Sequence, residues 1–184
     1  MNIKKIRNYQ IFSIIFTFIL GTLLHFTYKL SGDNQLVAIF SAINESVWEH
    51  LKLLFFPMLL TTIIGYFYFG KRLSNFLCSK TIGIVIAMMF TVIFFYTYTG
   101  ILGTNIAIID IASFFIATIL GEVISYLLII NKFNCNNKIA ILILVIIFIS
   151  FVVFTFKTPQ IGIFKDPVTG EYGMLQITAN KNIY

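Results

Sequence analysis

Five long apolar runs, at about 9–29, 47–69, 81–99, 104–130 and 139–156, constrain this chain more than any motif does. A helix needs about 20 mostly apolar residues to cross the ~30 Å hydrocarbon core of a bilayer, and each run is long enough. Five crossings take up most of the 59% of residues that are hydrophobic, while only 11% of the 184 residues are charged. That balance excludes a soluble enzyme domain, a disordered chain, a disulfide-stapled secreted domain and a nucleic-acid-binding module. The expected fold is an all-α integral membrane bundle of five transmembrane helices over residues 1–156, followed by a short tail over 157–184. The first run follows Lys4, Lys5 and Arg7, as a secretory signal would. Its apolar part is longer than a signal core and no small-residue cleavage site follows, so it reads as a retained helix.

The net charge of +6 is first a topology signal. Of the 13 Lys and Arg, eight (Lys4, Lys5, Arg7, Lys71, Arg72, Lys80, Lys132 and Lys138) fall in the N-terminus and the second and fourth connections. The other five are Lys29, Lys52, Lys157, Lys165 and Lys181. Positive charge stays inside, which predicts a cytoplasmic N-terminus and an extracytoplasmic C-terminal tail. Under this topology Cys78 and Cys135 lie in cytoplasmic connections, reduced and without an assigned role. The richness in Ile, Phe and Asn fits an AT-rich bacterial coding sequence, which implies the bacterial plasma membrane.

Ionisable groups inside hydrocarbon cost at least ~2.5–3.5 kcal/mol on insertion scales, so those that remain are paired, hydrated or functional. Here they are His25 in the first run, Glu45, Glu49, His50 and Lys52 at the start of the second, and Asp110 and Glu122 in the fourth. All but Glu122 fall near the outer side. The densest stretch is Asn44-Glu45-Ser46-Val47-Trp48-Glu49-His50-Leu51-Lys52. Asn44 reads as an N-cap, Glu45 as a first-turn acid and Trp48 as an interfacial anchor. At 100° per residue Glu45, Glu49 and Lys52 share one helical face and His50 points elsewhere. In the fourth run Gly103, Asp110, Ser113, Ala117 and Gly121 form a small, polar seam that faces the bundle.

Two histidines and up to three carboxylates at one depth suit a divalent ion such as zinc, with His25, Glu45, Glu49, His50 and Asp110 as candidate ligands. Two imidazoles and one carboxylate leave a coordination position open, at which water can be activated, with Glu49, His50 and Asp110 as the candidate catalytic groups. The expected chemistry is metal-assisted hydrolysis of a lipid or membrane-bound substrate. No H-E-x-x-H string is present, because Glu49 and His50 are adjacent. Two other classes stay open. One is a permease or an ion- or proton-coupled carrier component using Asp110, Glu122 and Glu49 as a relay. The other is an accessory subunit whose polar groups only satisfy one another. The partners are the bilayer and either a second copy or another membrane subunit, not nucleic acid.

In the tail, Ile161–Phe164 and Tyr172–Ile177 read as strands about the turn Asp166-Pro167-Val168-Thr169-Gly170, an extracytoplasmic β-hairpin. It packs on the outer face of the bundle or acts as a lid to which Asp166, Thr169 or Tyr172 contributes. Taken together, the first-helix histidine, N-E-S-x-W-E-H-L-K over Asn44–Lys52 with Pro57 behind it, and D-P-x-T-G-x-Y-G over Asp166–Gly173 resemble a family of small multi-pass bacterial membrane proteins of unknown function. The resemblance spans nearly the whole chain. It implies membrane location and assigns no activity.

Overall fold

A computed structural model of the chain describes residues 3–174. Every long apolar run is helical: α1 (Ile3–Leu30), α3 (Val47–Tyr68), α4 (Phe76–Leu102), α5 (Ala107–Ile130) and α6 (Asn137–Phe156), with a single turn, α2 (Gln35–Ala38), between the first two. The five long helices have the length and hydropathy to cross a membrane, and the shortest, with 20 residues, rises ~30 Å. Helical structure follows from the environment as much as from propensity, since a backbone in hydrocarbon must satisfy its own N–H and C=O groups.

α3 is the axial helix, buried over most of its length, with α1 and α4 against it, α5 against α1 and α4, and α6 against α4 and, through Phe151, against α3. Its Leu54, Phe55, Phe56 and Met58 form the core with Ile84, Ala117 and Phe151. Small residues let backbones approach. A Cβ on Gly121 would stand 2.6 Å from the Gly83 carbonyl oxygen, and one on Gly21 would stand 2.6 Å from that of Leu53. Leu53 is four residues before Pro57, whose missing N–H leaves that carbonyl without its helical donor. A tight approach of α1 to α3 thus falls at the point where α3 lacks a backbone bond.

Several sequence expectations are revised. α4 starts at Phe76, a turn and a half before the apolar run, so Lys80 is no loop charge. It is fully buried, its Nζ 2.6 and 2.7 Å from the two Glu122 oxygens and 3.2 Å from Gln10 Oε1. Ser13 donates to Glu122 Oε1 at 2.7 Å. Cys78 and Cys135, expected as separate thiols, are joined, with Cα atoms 6.2 Å apart. They are 57 positions apart in sequence, and they meet because the α5–α6 connection returns over the start of α4, where Asn137 accepts from the Cys78 N–H at 3.1 Å. Trp48 is no interfacial anchor. Its ring packs 4.8, 5.5 and 4.9 Å from those of Phe151, Phe154 and Phe164, tying α3 to α6 and the tail.

The β-hairpin is not formed among the described residues. Gly162–Phe164 is a 3-10 turn, and Lys165 and Tyr172 make one antiparallel bridge. Asp166 closes the turn, its Oδ1 accepting from Val168 N at 2.7 Å and Thr169 N at 3.2 Å. Gly173 then takes a φ of 61°, which ends the extended pairing after a single rung. Residues 175–177 of the expected second strand lie outside the described residues.

The Lys80–Glu122 pair yields a stability prediction. Removing one partner strands a buried charge, so Lys80→Met is expected to lose ~3–5 kcal/mol. Lys80→Met with Glu122→Leu should recover most of that loss. Thermal unfolding in detergent measures both, and equal losses for the single and double variants would show that the pair is not what the site requires.

Candidate functional site

The site is built on the connection between α2 and α3 and on how that connection is fastened. Ser41 Oγ donates to the Leu24 carbonyl and accepts from Tyr28 N at 2.9 Å, which holds the connection against the last turns of α1. The Lys52 ammonium, fully buried, donates to Ala38 O at 2.9 Å and to Glu49 Oε2 at 2.6 Å, and the same oxygen accepts from Ile43 N at 3.1 Å. Glu49 and Lys52 therefore clamp residues 38–43 onto the first turns of α3.

The cap of α3 is Ser46, whose Oγ accepts from Glu49 N at 3.4 Å. Asn44, expected in that role, instead accepts from Ser46 N at 3.0 Å in a turn just outside the helix. This two-residue difference matters. Glu45 precedes the helix, so the 100° rule does not place it on the face of Glu49 and Lys52. Its carboxylate turns the other way, and its backbone N–H donates to Asp166 Oδ2 of the tail at 3.3 Å.

There Glu45 meets both histidines. Its Oε2 lies 3.5 Å from His25 Nε2 and 3.4 Å from His50 Nε2, and the two Nε2 atoms are 3.3 Å apart. His50 Nδ1 is 2.9 Å from Ser46 O. A carbonyl only accepts, so Nδ1 carries a hydrogen, and Nε2 presents a lone pair to the group in the neutral ring or an N–H to Glu45 in the charged one. Hydrogen bonds from His25 and then His50 outweigh burial and hold the Glu45 carboxyl well below the usual carboxylate range, so it is an anion at any ordinary pH.

Of the five expected ligands, the structure brings together three. His25, Glu45 and His50 each offer an atom within 4.8 Å of the others. Glu49 is turned away into the pair with Lys52. Asp110, in the first turn of α5, faces the same cavity but accepts from the Tyr98 hydroxyl and, at 3.5 Å, from Asn105 Nδ2. Glu122 belongs to the Lys80 pair at the other end of the bundle.

Sequence reasoning missed Ser46, Tyr98 and Asn105; the spacing of Glu49 and Lys52 suits a pair, but does not show the hold of that pair on residues 38–43. Ser46 was legible, since Ser46-Val47-Trp48-Glu49 has the S-x-x-E form of a capping box. The Tyr98–Asp110 contact crosses the α4–α5 turn and had no such signal.

The cavity beside the group has a volume of about 500 Å³ and is walled by α1, α3, α4 and α5, with Val168 of the tail at its edge. The arrangement thus combines three N and O donors, a second carboxylate across a cavity, and a largely apolar wall.

The position of Glu45 makes a prediction about pH. Because folding lowers its affinity for a proton, its contribution to stability is present above the ordinary carboxyl value of 4.5 and is lost as pH falls below it. Glu45→Gln should therefore destabilise the protein, and by progressively less as pH falls below ~4.5. Unfolding temperatures of both proteins across pH ~3–4.5, where both histidines are charged, test this, and a gap that widens as pH falls through that window would overturn the assignment.

No curated protein and no solved structure matches the chain. A family model does match, over residues 1–174, and the chain belongs to that family of unknown function, DUF6512.

Proposed function

We propose that this protein is a membrane-embedded metalloprotein in which His25, Glu45 and His50 hold a divalent ion such as zinc, and that the site hydrolyses a lipid or membrane-bound substrate. One observation carries the reading. Ligands on a tetrahedral ion with bonds of ~2.0–2.1 Å stand ~3.3–3.4 Å apart, about 1.63 times the bond length. The three separations here are 3.3, 3.4 and 3.5 Å. Hydrogen bonds alone would draw such groups to ~2.7–3.2 Å.

Three protein ligands leave the fourth position to water or substrate, the pattern of catalytic rather than structural zinc. An ion there lowers the pKa of bound water towards neutrality. In the hydrolysis we propose, the water oxygen attacks the acyl carbon and the carbonyl–heteroatom bond breaks. Asp110, oriented by Tyr98 and Asn105, takes the proton from the water and returns it to the leaving atom. Glu49 has no part in the reaction, and its role is to hold the connection that carries Glu45. The relay reading is less favoured, because the residues lining the cavity do not include Glu122, whose carboxylate is engaged by Lys80 and Ser13.

The orientation we propose keeps the N-terminus in the cytoplasm and the site in the outer leaflet. Setting aside the buried Lys52 and Lys80 leaves seven basic residues on the inner side against Lys29, Lys157, Lys165 and Lys181 outside. The Cys78–Cys135 bond weighs the other way, since disulfides persist outside the cytosol. After reduction, a membrane-impermeant maleimide applied to intact cells should leave both cysteines unlabelled, and labelling from outside would invert the orientation.

The metal reading is tested by elemental analysis of purified protein. Wild type is expected to carry about one divalent ion per chain, His25→Ala and His50→Ala to lose it, and Asp110→Asn to keep it while losing esterase or amidase turnover. Near-zero metal in wild type after zinc loading would remove the hypothesis.

A further inference from the structure

The cavity is graded from polar to apolar along its length. Each helix that brings an ionisable group to it brings a small or apolar residue four positions deeper on the same face: Gly21 below His25 on α1, Leu54 below His50 on α3, and Phe114 below Asp110 on α5. One helical turn, ~6 Å, therefore separates a ring of ionisable groups from a ring without any. The hydroxyls on the wall do not interrupt this gradient. Thr22, Thr91 and Ser113 donate to the carbonyls of Phe18, Ala87 and Asp110 on their own helices, at 2.7, 3.0 and 2.8 Å. Below the first turn the wall offers no free donor to a polar ligand or to a file of water.

The cavity also has a side. Thr22 and Phe26 on α1 and Ala107 and Ile111 on α5 line it and are exposed. These residues lie within helices that have the length and composition to span a membrane, so in a spanning bundle their exposed faces meet lipid. The two helices close against each other deeper, where Phe114 stands against Gly21. The tail contributes Val168 to the end of the cavity, and the exposed lining residues of α1 and α5 give it a side opening between those two helices.

We propose that the cavity takes the acyl chain of a membrane lipid or lipid-modified molecule, admitted sideways between α1 and α5, with its ester or amide carbonyl at the His25–Glu45–His50 group. This assigns a substrate class to the site and, as regards the reaction, rests on the metal-dependent reading above. The apolar wall does not itself attract the chain, because chain and bilayer are equally apolar. Its effect is to make the chain's passage nearly free while excluding solutes that would lose their water. Selectivity then lies with the carbonyl end.

The experiment uses the full chain in nanodiscs containing a palmitoyl phospholipid with a mid-chain diazirine, and maps photo-adducts by mass spectrometry. Phe95, Phe114 and Phe115 are expected to be labelled within about threefold of lipid-facing α6 positions such as Ile139 and Ile146. Phe55, fully buried in the core, should stay at background. Plugging the opening with Thr22→Trp and Ile111→Trp should bring the cavity positions down to the Phe55 level and leave α6 unchanged. Cavity positions at the Phe55 level in the wild type would overturn the proposal, whatever the metal content. Labelling in a protein that never binds metal would keep the acyl-chain site and remove only the hydrolytic reading.

Discussion

A buried ammonium in a bilayer protein must be matched by an anion, and this bundle contains two such matches, one towards each end. Lys80 and Glu122 join α4 to α5, while Lys52 and Glu49 sit a single turn apart on α3 and reach outward to the connection in front of it. The second pair governs the rest of the site. Lys52 has three donors and Glu49 accepts both from it and from a backbone N–H, so the pair fixes a stretch of irregular chain that has no regular structure of its own. With residues 38–43 held, Glu45 emerges at the mouth of α3 on the side of the histidines. The charge that looks wasteful in hydrocarbon is what lets an irregular loop hold its place.

The division of labour between Glu45 and Glu49 follows from the same point. Both carboxylates occur in one nine-residue motif, and helical arithmetic puts them on one face. That arithmetic applies only inside a helix, and the cap at Ser46 starts the helix one residue too late for Glu45. One acid is consequently sealed against a lysine and the other is left half-exposed beside two imidazoles. Of the two, only the second lines the cavity and faces both imidazoles.

The five spans were legible because their signal is collective, about 20 apolar residues at a time, and single substitutions barely alter it. His25, Glu45 and His50 were legible as candidates because polar groups in hydrocarbon stand out. Which of the five candidates converge was not legible, since it depends on a cap two residues from the expected one and on a contact between the tail and Glu45. Lys80 was misread as a loop charge for a related reason. Nothing local distinguishes a lysine ending a connection from one a turn inside a helix, and only its partner on α5, 42 positions away, decides the matter. The hairpin failed on Gly173, whose positive φ bends the chain after one rung.

The tail nonetheless matters to the site through Asp166. Its carboxylate does two things at once: one oxygen closes the turn that follows, and the other receives the N–H of Glu45. A residue of the tail thus steadies the backbone of the single acid that faces both histidines, while Phe164, two residues earlier, is wedged on Trp48 of α3 and Phe154 of α6. Val168 of the same tail stands at the end of the cavity. The segment that steadies Glu45 therefore also borders the space in which we propose that the acyl chain lies.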